Sequence, residues 1–375
     1  MELSLDAMLK DGFSRKRAII FLNQIEEEKE SGLFDESYLK WANENGFFAS
    51  SASVWKLTPD NIGHYLSDYA YHRLWPLNSW QRIWINDKMT MYYILAGTAF
   101  EDCLPKYYLY GGDSGLVSLP DCHHEITAVQ DAVTLLKEVG QLACKPCNGT
   151  SSIGFYKLSY DSGKFYINDE KSDFADIERF IEEHPNYVYT EYLLPEKSMA
   201  DISPLIHTLR IQTVCDANGI PRIAGGNLRF ATRLTGPVNH MTKNEDYDLD
   251  VEINMENGKY GNAKAVYLNR MEDMPIHPDT QTKIEGVIPG WDELKRKVLG
   301  IAKYLRQCEW LAFDVCVAEA GVKIMEINSH GGIRFLQVCS PFFENEWLKK
   351  YFINKIKTVD AMGEEEIAER NKIMR

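Results

Sequence analysis

The chain has 375 residues, of which 45% are hydrophobic, 26% charged and 12% aromatic, a balance that excludes disordered, collagen-like and coiled-coil classes. Fifty-five acidic residues against 41 basic ones give a formal charge of −14, and no stretch concentrates Lys and Arg among aromatics, so nucleic acid is not expected as a primary partner. No uncharged apolar run reaches membrane-spanning length, and the amphipathic opening lacks a signal-peptide pattern; both features predict a soluble, cytoplasmic protein.

Residues 1–75 read as helices. Residues 17–30 place apolar side chains on one stripe and acids on the other, and Asp35 and Glu36 open a second run through Trp41. A packed helical cap with a solvated acidic face is expected there. The Trp/Tyr-rich stretch 65–93 reads as core, with an oligomer contact as its alternative. Asn86 and Asp87 are good N-caps for a helix over 86–96. Residues 104–110 are strand-like, Gly111-Gly112-Asp113 turns, 126–139 is an amphipathic helix and 141–146 a strand.

Hairpins dominate the second half. Residues 207–215 and 220–230 flank the turn Asp216-Ala217-Asn218-Gly219, and 309–318 and 322–328 flank Ala320-Gly321. An antiparallel sheet is the economical inference. Residues 240–262 are polar and rich in Asn, Asp and Gly, which predicts a long loop or hairpin insertion. A clear amphipathic helix covers 292–307, and the tail from Gly363 is a charged helix or a frayed end.

Eight cysteines without a secretory signal read as reduced thiols. Cys144 and Cys147 form a C-x-x-C and Cys122-His123-His124-Glu125 is ligand-rich, but neither has the second matching pair that zinc would need.

Three patterns carry chemistry. First, Lys145 ends a strand and is followed by a loop of small residues, including Gly149, Thr150, Ser151, Ser152 and Gly154. Small residues let backbone N–H groups approach phosphate oxygens, and the lysine adds charge; an ordinary hairpin turn is the alternative. Second, Glu326 and Asn328 lie two apart on a strand and so share a face, and Asp314 sits on the other strand of the hairpin. This oxygen set suits Mg²⁺, and its charge among apolar neighbours is costly unless neutralised. Third, residues 187–194 end a strand at Glu191 and continue through Leu193, where backbone groups can meet an adenine edge; an ordinary core strand is the alternative. Arg210, Arg229 and Arg233 add guanidinium groups able to stabilise a transferred phosphate, or surface ion pairs.

In order along the chain, NDKMTMYYIL (86–95), CKPCNGTSSIG (144–154), YTEYLL (189–194), SPLIHTLRIQTV (203–214), LRFATR (228–233), HPDT with EGVIPGWDEL (277–294), and FDVCV followed by MEIN (313–328) resemble the sugar-transfer-associated ATP-grasp family and its teichuronopeptide-synthesis-like relatives. The resemblance implies an α+β ATP-grasp fold in which two α+β subdomains clasp ATP between antiparallel sheets. It divides the chain into a helical N-terminal region (1–80), a small subdomain (81–190), a large subdomain (191–350) and a helical tail (351–375). It also implies that Lys88 and Lys145 contact phosphate or adenine, that Gly149 through Thr150, Ser151, Ser152 and Gly154 cover the phosphates, and that Glu191 and Leu193 form the adenine hinge. Arg210 and Arg229 would face the reacting phosphate, and Asp314, Glu326 and Asn328 would hold Mg²⁺. The pattern is left after Arg233, where the chain has Val238-Asn239-His240 and the acidic run 245–252, so this region is expected to touch the acceptor, with His330 and Gln337 nearby.

The implied cofactors are ATP and Mg²⁺, and the implied reaction is carboxylate–amine ligation through an acyl phosphate on a small-molecule or glycan-precursor substrate. Phosphoryl transfer to a hydroxyl or amide nitrogen, as in a kinase, would need the same residues. A nucleotide-binding scaffold would be expected to lack a metal ligand, whereas Asp314, Glu326 and Asn328 are all present.

Overall fold

Alternation of apolar and polar residues builds the strands that carry the site, in a computed structural model that describes residues 3–113, 115–149, 153–216, 218–234 and 246–374. The first group is β1 (Tyr107–Gly112), β2 (Gly115–Ser118), β3 (Gln141–Pro146), β4 (Tyr156–Asp161), β5 (Lys164–Ile167), β6 (Glu170–Ser172) and β7 (Tyr187–Glu191). They form a sheet in the order β2-β1-β7-β3-β4-β5-β6. The second group is β8 (Thr208–Cys215), β9 (Pro221–Phe230), β10 (Asp248–Ile253), β11 (Lys259–Val266), β12 (Met271–Asp273), β13 (Gly286–Val287), β14 (Trp310–Ala318) and β15 (Gly321–Asn328). Their order is β12-β11-β10-β9-β8-β14-β15, with β13 paired to β11. All these pairings are antiparallel.

Each sheet buries one face against helices. Leu142, Cys144, Leu158 and Tyr189 of the smaller sheet pack with Val133 and Leu136 from Val129–Val139 and with Ile177 and Ile181 from Phe174–Glu183. Leu209, Ile211, Leu249, Val251, Phe313 and Ile324 of the larger sheet share a core with Leu294, Val298 and Ile301 of the helix Trp291–Tyr304.

Of the long loop or hairpin insertion expected over 240–262, the hairpin is found: β10 and β11 pair antiparallel, and β10 also pairs β9, so the hairpin is part of the larger sheet. In the run DLDVEI, Leu249, Val251 and Ile253 enter the core while Asp248 and Asp250 project from the other face. Charged residues there mark a polar face of a sheet, not an excursion from it. Residues 235–245, with Val238, Asn239 and His240, lie outside the described residues.

The N-terminal helices and the C-terminal helix Glu346–Asp360 cover part of that other face. Leu66, Tyr71, Leu74 and Trp75 pack with Val214, Ala224, Trp310 and Phe352. The acidic face is not wholly solvated: buried Glu28 accepts hydrogen bonds from the Ala49 and Ser50 N–H groups (2.7 and 3.0 Å) and caps the helix Ala49–Val54. The charged tail is docked rather than frayed, with Arg370 donating to the carbonyls of Gly12, Arg73 and Trp75 at 3.1, 2.9 and 3.0 Å. No described helix is long and apolar enough to cross a membrane.

Candidate nucleotide and acceptor site

A cavity of ≈ 930 Å³ takes its walls from both sheets. Asp87 starts its upper wall by capping the helix Lys88–Leu95, accepting from the Thr90 N–H at 2.7 Å. That cap fixes Lys88, whose N–H donates to the Cys147 carbonyl (2.9 Å) and whose Nζ donates to the Gly149 carbonyl (3.2 Å). Lys88 Nζ also lies 3.4 Å from Glu326 Oε2, so it ties the glycine loop of one sheet to a carboxylate of the other.

Lys145 projects into the same cavity from β3 and has no hydrogen-bond or ion-pair partner among the described residues. Burial, and then the nearby Lys88 charge, pull its pKa down to about 8. Two glycines of the following loop are sterically required. A Cβ on Gly149 would fall 2.4 Å from Pro146 Cγ, and one on Gly154, at φ +79°, would fall 2.5 Å from the Tyr187 hydroxyl. Gly154 itself is not on the cavity wall, but its neighbours Ile153 and Phe155 are. Thr150, Ser151 and Ser152 lie outside the described residues.

The larger sheet supplies the acids. Asp314 stands opposite both Glu326 and Arg210 in the β8-β14-β15 register, so all three share a face. Arg210 Nε donates to Asp314 Oδ1 and Nη2 to Oδ2 at 3.1 Å, a bidentate pair. Burial depresses the Arg210 pKa, but Asp314 outweighs it and the net shift is upward. Asn328 Nδ2 donates to Asp314 Oδ2 at 3.3 Å, which leaves its amide oxygen for another partner. Carboxylate and amide oxygens on one face are a hard donor set that fits Mg²⁺.

One strand further, Arg229 stands between Thr208 on β8 and Asp250 on β10. It is not beside Asp314; its Nη1 lies 3.7 Å from Asp248 Oδ1. Asp248 is a wall residue that sequence reading missed, because only the pairing of β10 with β9 brings it beside Arg229. The stretch after β15 closes this end, with Ser329, His330, Gly332 and Phe335 on the wall. Trp75 stacks on His330 with ring centroids 3.6 Å apart, and the Tyr71 hydroxyl donates to the Gly331 carbonyl. Burial, with Arg17 and Arg82 nearby, lowers the His330 pKa to about 3, so its ring is neutral near pH 7.

Other expected residues lie elsewhere. Glu191 is not on this wall. It accepts from the Lys106 N–H at 3.2 Å and borders a separate cavity of ≈ 640 Å³. Leu193 packs behind Ile206 and Met325, two apolar wall residues that sequence reading also missed. Gln337 is fully buried and braces the Leu66 backbone with bonds of 2.9 and 3.0 Å, which removes it from any acceptor contact. Arg233 is exposed, and its N–H donates to Asp279 Oδ2 at 2.7 Å. The HPDT motif thus braces the end of β9, with His277 bonded to the Ala231 carbonyl (3.1 Å).

The profile of sugar-transfer associated ATP-grasp proteins matches residues 83–342, more than half of the chain. The chain belongs to this family. Its two antiparallel sheets and their shared cavity are the ATP-grasp fold. No curated protein matches the chain significantly. Similar solved structures include the ATP-grasp ligase PsnB complexed with a phosphomimetic variant of minimal precursor, Mg and ADP. It is 12% identical, covers 75% of this chain and 61% of its own, and has a TM-score of 0.39, so this chain spans less than two thirds of that relative. D-alanine–D-alanine ligase from Bacillus anthracis is 14% identical, covering 82% and 72% (TM-score 0.36). D-alanyl-alanine synthetase A from Vibrio cholerae is 13% identical, covering 73% and 66% (TM-score 0.41). The family match, not these likenesses, carries the assignment.

Proposed function

We propose that this ATP-grasp protein is an ATP- and Mg²⁺-dependent ligase that joins a carboxylate to an amine through an acyl phosphate, on a sugar, peptide or cell-surface glycan precursor. One observation supports this above others: the unpartnered Lys145 of one sheet and the Asp314, Glu326 and Asn328 oxygens of the other line a single cavity. Cations on one wall and hard oxygen donors on the other suit a metal-bound polyphosphate.

Asp314, Glu326 and Asn328 would hold Mg²⁺, which when bound supplies neutralisation of phosphate charge. Lys88 and Lys145 bind the phosphates, and Ile153 and Phe155 shield them from water. Arg210 fixes Asp314 and lends positive charge where the terminal phosphate reacts. A substrate carboxylate oxygen then attacks the γ-phosphorus with release of ADP, and an amine displaces phosphate from the acyl carbon. No protein nucleophile is required; the residues act by positioning and electrostatics.

The test is thermal stability with and without Mg²⁺ and ADP. Ligand at about 100 times its Kd stabilises by roughly 2.7 kcal/mol, so the wild type is expected to melt several degrees higher only when both are present. Folded Glu326→Ala should lose the Mg²⁺ dependence; if it keeps it, the metal assignment fails. Free phosphate released with ADP during turnover would identify a ligase, whereas a phosphorylated acceptor would identify a kinase.

A further inference from the structure

Beside the His330 end of the cavity, two guanidinium groups face no anion. Arg17, from the helix Arg15–Glu30, lies with Cζ 4.4 Å from the centroid of the Trp75 ring, and Trp75 stacks on His330 of the cavity wall. The Arg17 guanidinium makes no hydrogen bond or ion pair among the described residues, and its Nε is buried without an acceptor. Arg82 stands one helical turn before Asn86, whose Oδ1 accepts from Ser329 Oγ at 2.7 Å, next to His330. Its Nη2 donates to the Ile373 carbonyl, but it too has no ion-pair partner among the described residues, and its Nε is buried without an acceptor. The Trp75 indole N–H is a further buried donor without one. Exposed Lys16 precedes Arg17 and adds another cation.

Buried N–H groups are rarely left without acceptors, and burying a cation without a matching charge is costly; burial alone lowers the Arg17 pKa from its ordinary 12.5. Three unmatched donors among three cations therefore call for an anion. One guanidinium fork saturates a carboxylate, which carries a single charge. A phosphate ester brings up to two charges and several acceptor oxygens, enough for both guanidiniums, and arginine suits it in shape and hydration. Arg17 and Arg82 are half-buried, so a ligand reaches them from solvent while their inner nitrogens stay dry. We infer that this end of the cavity binds a phosphate group of the substrate, its oxygens shared by Arg17 and Arg82, with the rest of the molecule passing His330 towards the reacting centre.

This inference rests on the ligase reading and names its substrate class: the acid or the amine is carried on a phosphorylated precursor. The phosphate is an anchor, and no bond to it forms or breaks. Both guanidiniums come from residues outside the matched stretch 83–342, so the anchor is supplied by the N-terminal helical region rather than by the two sheets.

The test is calorimetry on the full chain saturated with Mg²⁺ and the β,γ-imido analogue of ATP, which fills the γ-phosphate position. The probes are inorganic phosphate, glucose 1-phosphate and UDP-glucose, with glucose and glucuronate as uncharged and carboxylate controls. At least one phosphate probe is expected to bind, with both controls at least roughly tenfold weaker. Arg17→Gln and Arg82→Gln should each weaken that probe by at least about tenfold while keeping the melting shift with Mg²⁺ and nucleotide, which certifies their fold. Lys16→Glu, at an exposed position that the fold does not need, should weaken it by at least about twofold and decides the matter if the arginine variants do not fold. Glucuronate binding as well as the phosphate probes, unchanged binding in the folded variants, or no phosphate probe binding to a protein that does bind Mg²⁺ and nucleotide would overturn the assignment. Absence of the nucleotide shift in the wild type would instead overturn the nucleotide reading.

Discussion

Lys145 is held in the cavity without an ion-pair partner among the described residues, and burial, with the nearby Lys88 charge, draws its pKa down to about 8 from an ordinary 10.5. Because the folded value is the lower one, the protonated lysine costs stability. The contribution of Lys145 to stability is therefore greatest above pH 10.5 and is lost as pH falls through about 8. A bound phosphate reverses the preference by favouring the charged amine. ADP affinity should accordingly fall several-fold as pH rises from 7 to 9, with proton uptake on binding; Lys145→Met should bind weakly at both values and show no such slope. Calorimetry in buffers of different ionisation enthalpy measures both. Lys145 was legible in the sequence as a lysine before a loop of small residues, as were Glu326 and Asn328 from strand parity and Asp314 as the acid of the partner strand, although not the bulge at Asp314/Val315 that sets it opposite Glu326. Asp248 was not, because its partner Arg229 arrives from a strand that only sheet pairing brings beside it.

The strand Asp248–Ile253 shows how composition can leave a loop and a hairpin undecided. Counted as composition, DLDVEI resembles solvent-exposed chain; seen in the sheet, every second residue is core. Its buried acid can be tested. The Asp250 pKa is raised from 3.8 to about 8, chiefly by burial, so folding favours the protonated form. That stability is complete below pH 3.8 and is lost as pH climbs towards 8. Asp250→Asn keeps an oxygen for the Asn227 amide and removes the titration. It should match the wild type near pH 5 to within about 1 kcal/mol and exceed it at pH 8.5 by at least about 1 kcal/mol in urea unfolding. An equal decline of both proteins over that interval would show that Asp250 does not cause it. The helices, by contrast, follow local signals closely. Asp87 caps Lys88–Leu95, and the amphipathic run at 292–307 becomes Trp291–Tyr304.

Across the whole molecule, the N-terminal helices lie outside the family match yet help to complete the site wall. Trp75 is buried and stacked on His330, Tyr71 holds Gly331, and the Tyr71 hydroxyl accepts from Trp310 Nε1 at 3.1 Å. Asn78 joins the region to the larger sheet, donating to the carbonyls of Trp310 (2.6 Å) and Ser329 (3.2 Å). Trp75→Ala should cost about 3–5 kcal/mol by leaving a cavity. By freeing His330 it should also weaken acceptor binding more than Mg²⁺–ADP binding. Denaturant unfolding and paired titrations test this, and an equal loss for both ligands would reduce Trp75 to a purely structural role.

The sequence by itself determined the helices with clear caps, the existence of the hairpins and the family motifs, because each rests on interactions between residues close along the chain; the registers were decided in the sheet, where bulges at Asp314/Val315 and Gln212/Thr213 shift them. Only the tertiary structure decided which charges meet. It paired Arg210 with Asp314 and set Arg229 beside Asp248. It turned Gln337 inward onto Leu66 and placed Glu191 against Lys106. The physical reason is that a side chain's role depends on which distant strand or helix desolvates it and supplies its counter-charge, and neighbours in sequence do not fix that choice.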